Sequence, residues 1–238
     1  MLIVDKIKEH RNNVPKELEG IDELDSTTKD YMLYKFLKDN LNDYPYLLEE
    51  LPVYFMEEIL INEINSYNFE RYFTDNVIKK LNEGTGKLRT ILLNHIEYAN
   101  LIPKLTTEKN YMPSSIYFNN EEKWVSISKY LALFQSRYGK KELISFLNSF
   151  NDRNSCENLF KEMEDSDFFY NALFDDDDII ELVKGNFGKN LNNDSFSKLI
   201  SKMSSLDNPN KYMNLLLDNN IYDRCKKDIS VSYLTRLL

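Results

Sequence analysis

The side chains that could carry out acid–base, metal or phosphate chemistry are few and can be taken one by one. His95, with Glu97 and Tyr98 close behind it, is the best-placed general acid or base, although a buried, hydrogen-bonded histidine satisfies the same pattern. Glu57/Glu58 and Glu121/Glu122 are adjacent carboxylate pairs, but neighbours on a helix point in different directions and do not converge on one reacting atom. The run Gly84-Thr85-Gly86-Lys87 looks like part of a phosphate loop. It lacks the full GxxxxGK[ST] spacing, Leu88 follows the lysine, and no apolar strand precedes it. Cys156 and Cys225 stand apart, with no CxxC and no Cys/His cluster, so no metal site and no cofactor is expected and both thiols are expected reduced. No GxSxG elbow is present. The residues point away from an enzyme.

The densest cluster is Asp175-Asp176-Asp177-Asp178, directly ahead of Ile179-Ile180-Glu181-Leu182-Val183. An EF-hand loop needs spaced acids and a central glycine, which this run lacks. Capping and dipole stabilisation of the following helix account for one or two of the four. The others are open to solvation, contact with a cationic partner, or a weak cation site. Charge is uneven along the whole chain. From Asp39 to Glu70 there are eight acids and no Lys or Arg, and from Glu157 to Glu181 ten acids against Lys161 alone. With a formal net charge of −9, the two blocks carry −17 and the rest about +8. That balance opposes generic nucleic-acid binding, which needs basic surface to displace counterions. It fits either ordinary solvated helix faces or a negative surface turned to a basic partner. Residues 198–238 hold seven bases and four acids. They could neutralise acids of the same chain or of a second copy in a homodimer.

Positioning such groups calls for helices. Apolar content is 42%, with 14 Phe and 16 Tyr but only 6 Gly and 6 Pro, which argues for a folded, turn-poor, all-α chain. No apolar run of about 18 residues is present to span a membrane, and the charged start does not resemble a signal peptide, so a cytoplasmic protein is expected. Helices are predicted near residues 2–10, 29–41, 46–51 and 53–64, then 69–81 and 87–101. Others follow over 123–138, 140–150, 154–164, 166–174, 177–186, 194–204, 209–219 and 228–237. In the helix from Val53, residues Val53, Met56, Leu60 and Ile64 repeat at helical spacing, with Glu57, Glu58 and Glu63 on the other side. Tyr31 and Tyr34 are expected on the buried side of their helix and Trp124 in the core. The expected architecture is a multi-helix bundle, either one continuous helical array or two helical domains, 1–108 and 121–238, separated by the poorly periodic stretch 106–120 with Ile116-Tyr117-Phe118 as a short extended piece.

The segment Glu63-Ile64-Asn65-Ser66-Tyr67-Asn68-Phe69-Glu70-Arg71-Tyr72-Phe73 resembles the E-hydrophobic-N-N-G-G-F-x-Q-Y-F signature of the DNA-mimic protein family, small acidic helical domains. Tyr67 and Asn68 replace the paired glycines, and Arg71 the glutamine. The likeness covers residues 30–105. It implies a non-enzymatic inhibitor or regulator, of the DNA-mimic or immunity type, whose carboxylates stand in for phosphates on the basic surface of a nucleic-acid-binding protein or toxin. Glu57, Glu58, Glu63, Asp175, Asp176, Asp177 and Asp178 are the residues expected to meet that partner. The other reading is a helical scaffold that holds its partner in an apolar groove.

Overall fold

The computed structural model describes residues 2–106, 111–118, 123–171, 174–203 and 209–225. Among the described residues the structure is predominantly helical, with one short two-stranded sheet. Among the described residues no helix is long and apolar enough to cross a membrane. The chain divides into two compact units, 1–91 and 92–238, so the division falls earlier than the expected stretch 106–120.

In the first unit, α1 (Ile3–His10) buries Ile3 and Ile7. Its first amides, Ile3 and Val4, donate to the Asp22 carboxylate at 3.0 and 2.8 Å, filling the helix-start donors that have no partner within the helix. Residues 16–28, outside the predicted helices, contain two single 3₁₀ turns, Lys16–Leu18 and Ile21–Glu23. Asp25 then caps α2 (Ser26–Asn40) by accepting from the Thr28 amide at 3.1 Å. Leu33, Tyr34, Phe36 and Leu37 of α2 are buried, whereas Tyr31 is exposed, contrary to its expected place. A 3₁₀ segment, Pro45–Glu50, leads into α3 (Val53–Asn62), which buries Met56, Ile59 and Leu60.

The expected helix over 69–81 is two elements. Asn68 takes the left-handed conformation, φ 61°, and starts a 3₁₀ turn, Phe69–Tyr72. The Thr74 hydroxyl then accepts from the Val77 amide and starts α4 (Asp75–Leu81) afresh. α5 (Lys87–Leu92) is likewise shorter than expected, because His95 (φ −124°, ψ 84°) departs from helical geometry.

The second unit includes a 3₁₀ segment, Ile96–Lys104, which packs on α6 (Ile127–Tyr138) and α7 (Lys140–Asn148). The Tyr138 hydroxyl donates to the Ile96 and Glu97 carbonyls at 2.8 and 2.5 Å. β1 (Ser115–Phe118) pairs antiparallel with β2 (Lys123–Ser126), placing Tyr117 opposite Trp124. Ile116, Phe118 and Val125 face inward and Trp124 is 69% exposed. The expectation of a core tryptophan fails because residues 123–126 are strand, with side chains alternating between faces. Ser126 accepts from the Lys129 amide and delays the helix to residue 127. Tyr130, Phe134, Phe146 and Phe150 form a continuous aromatic run in the core, with ring centroids 4.7–5.9 Å apart.

The helices α8 (Arg153–Asp165), α9 (Phe168–Asn171), α10 (Asp176–Lys184), α11 (Asn186–Asn190), α12 (Asn193–Met203), α13 (Pro209–Leu216) and α14 (Asn219–Cys225) complete the described chain. Gly188 lets α11 lie on α10: a Cβ there would stand 2.5 Å from the Val183 carbonyl oxygen. The helix expected over 228–237 lies outside the described residues.

Candidate functional site

The four aspartates at 175–178 share no common face. Asp175 is the N-cap of α10, and its carboxylate accepts from the Asp177 and Asp178 amides at 3.0 and 3.1 Å. Asp178 returns the bond by accepting from the Asp175 amide at 2.8 Å, which closes a capping box. Lys140, at the start of α7, reaches Asp175 at 2.9 Å and Asp178 at 2.6 Å. Its ammonium, with the amides of α10, holds the Asp175 carboxyl below the usual carboxylate range. Asp178 and Asp175 in turn raise Lys140 above its ordinary value. Asp176 is buried. Asp177 is exposed. One cation and a helix start thus absorb much of a cluster that looks like a partner surface in the sequence.

The acids of the first unit are dispersed in the same way. Glu57 is 4% exposed and turned inward, where it accepts from the Thr85 hydroxyl at 3.0 Å and the Leu88 amide at 3.4 Å. It is therefore not available to a partner as expected. The same contacts account for Gly84-Thr85-Gly86-Lys87: the glycine-containing turn packs over Glu57, and a Cβ on Gly84 would lie 2.5 Å from Val53 Cγ1. Glu58 is exposed and accepts from the Tyr34 hydroxyl, which pushes the Tyr34 pKa up. Glu63 is half-buried at the C-cap of α3, its amide bonded to the Ile59 carbonyl. Lys6 lies between Glu49 and Glu50. Burial lowers the pKa of Lys6, but the two carboxylates outweigh burial and leave it raised. Arg11 pairs with Asp43 at 2.9 Å.

Lys198 lies 3.7 Å and Lys202 4.0 Å from Glu164, so part of the basic C-terminal segment neutralises the acidic block within one chain. Glu157 is spent on α12, accepting from the Asn192 amide and from Asn192 Nδ2 and Ser195 Oγ, each at 2.7 Å. Lys6 and Lys140 were not singled out from the sequence, since each sits well separated along the chain from the acids it meets and no local pattern marks it, whereas Lys198 belongs to the basic segment expected to neutralise acids of the same chain.

His95 is 3% exposed, with Nδ1 3.4 Å from Glu97. Cys156 and Cys225 are free thiols, both buried. Among the described residues no group of three or more His, Cys, Asp or Glu could hold a metal ion. Glu121 and Glu122 lie outside the described residues. In the segment that resembles the DNA-mimic signature, Asn68 stands where the second glycine would be and adopts the positive φ that glycine favours. No known protein family, curated protein or solved structure matches the chain.

Proposed function

We propose that this chain is a non-enzymatic acidic binding protein that covers the basic surface of a nucleic-acid-binding protein or a toxin. The observation that carries the reading is electrostatic. Internal ion pairs leave the net charge of −9 unchanged, so the uncancelled carboxylates set the field that a partner meets. Of the seven residues expected at the interface, Glu58, Asp175 and Asp177 are exposed, and Asp175 is paired with Lys140. Glu181 adds to Asp177 one helical turn on along α10 and is also exposed.

The test is capture from the native cell by the tagged chain at low salt and at about 1 M salt, where screening shrinks to about 3 Å. The expected partner is basic, is released by salt and by competing duplex DNA, and is lost with the double variant Asp177→Lys/Glu181→Lys. Capture indifferent to salt and to that reversal refutes the reading. A second reading, an apolar contact, is favoured by the exposed Trp124 beside Tyr117 on the hairpin. Salt-resistant capture lost in Trp124→Ala would support it.

A further inference from the structure

Within the second unit, an open cavity of about 650 Å³ is ringed by cations and amides. Arg153 at the start of α8, Lys189 and Asn190 at the end of α11, Asn193, and Asn220 and Arg224 of α14 all line it. In a chain of net charge −9 this concentration of positive charge is out of keeping with its surroundings. Arg224 is held in place. Its two terminal nitrogens donate to the Gly188 carbonyl at 3.1 Å and the Leu191 carbonyl at 2.6 Å, and its guanidinium carbon lies 3.6 Å from the centre of the Phe196 ring. Each of these nitrogens has a second N–H, so the fork retains donors. Arg153 and Lys189 are exposed and make no ion pair or side-chain hydrogen bond among the described residues.

The carboxylates nearby are engaged elsewhere. Glu157 is the one that acts electrostatically on Arg224, and it is bound by Asn192 and Ser195. Asp194 pairs with Lys198 at 3.3 Å, and Asp218 accepts from the Asn220 amide at 3.0 Å. The lining itself holds three cations, Arg153, Lys189 and Arg224, and no carboxylate, a balance that suits a phosphate dianion.

We infer that this cavity binds the phosphoryl group of a small molecule, with Arg153 and Lys189 closing on the dianion over a preset Arg224 and the asparagine amides contacting oxygens around it. A bidentate guanidinium suits phosphate geometry, and a fixed one loses little entropy on binding. A nucleic-acid backbone fits less well, because it presents single charges strung along a track and these cations converge on one opening. The inference is independent of the acidic-surface reading, which concerns α10.

The test uses the full chain and ¹H–¹⁵N NMR titration at constant ionic strength, with inorganic phosphate, adenosine monophosphate and adenosine as probes. Saturable shifts at the side-chain amides of Asn190 and Asn220 are expected with both phosphates below about 10 mM, and none with adenosine. Tighter binding of the nucleotide identifies a phosphomonoester, and equal binding identifies free phosphate. The variant Arg153→Gln/Lys189→Gln, altered at two exposed side chains, should weaken binding at least tenfold, while Asp177→Lys/Glu181→Lys leaves it intact. Absence of saturation, or binding unmoved by the Gln pair, overturns the inference.

Discussion

If Glu57 belonged to a partner surface, removing it would alter binding and leave the fold alone. Its position in the structure requires the reverse, which makes Glu57→Ala the most discriminating substitution. The carboxylate accepts from a buried backbone amide, Leu88, and from the hydroxyl of Thr85. A buried amide left without its acceptor costs about 1–3 kcal/mol. The Leu88 bond is long, which favours the lower half of that range. Thr85 is exposed and water replaces its partner at little cost. Removal of the packed side-chain stem adds about 1 kcal/mol. The total is about 2–3 kcal/mol, and at roughly 4–8 °C per kcal/mol for a unit of this size the first unit should melt about 10–20 °C lower. Glu57→Gln keeps an acceptor oxygen and should lose about 1 kcal/mol. Glu58→Ala serves as the exposed control. Urea and thermal unfolding followed by circular dichroism measure all three. An Ala variant within about 0.5 kcal/mol of the parent, like an ordinary surface substitution, would refute the reasoning.

Lys140→Met should raise the titration of the Asp175 carboxyl, which NMR reads directly. Because Asp175 is depressed in the folded state, the stability it gains from Lys140 is present at neutral pH and lost as pH falls through the folded value. The difference between parent and variant should therefore shrink on acidification, and also at high pH as the raised Lys140 deprotonates. A constant difference across pH contradicts the pairing. Burial, helped by Asp152 and Glu157, pushes the Cys156 thiol up to about 12, so at pH 8 roughly one molecule in ten thousand carries the thiolate. A disulfide reagent should leave Cys156 unlabelled until denaturant is added, and rapid native labelling at that position would overturn its placement. Gly188→Ala forces a methyl group against backbone atoms of α10 and should destabilise the second unit by about 3 kcal/mol, or about 6–12 °C. A neutral result there would mean that α11 does not lie against α10 so closely.

Periodicity located most of the helices, because burying one stripe imposes a spacing that survives in the sequence. The breaks were legible only where a residue is conspicuous. Asp25 announces α2, but the restart at Thr74 looked like mid-helix until its hydroxyl was seen on the Val77 amide. Trp124 was assigned to the core on size, and a four-residue strand offers too few positions to show which side faces out. The acidic blocks were the largest misjudgement of scale. A count along the chain cannot register that Lys6 closes on Glu49 and Glu50 or that Lys140 closes on Asp175 and Asp178, because these pairs are made by tertiary folding. The cavity around Arg224 was hidden for the same reason, since its cations come from three separate stretches of the sequence.

The way α1 is held bears on the order in which the chain acquires structure as it emerges during synthesis. Eight residues are too few to stay helical alone, and both anchors of this helix come later: Asp22, which takes its leading amides, and the Glu49–Glu50 pair that receives Lys6. This helix must therefore wait, unformed, for some forty residues to follow it. A nascent-length series should show residues 3–10 unprotected from amide exchange in a fragment ending near 45 and protected in one that includes the whole first unit. Protection in the shorter fragment would mean that the helix stands without the residues assigned here to hold it.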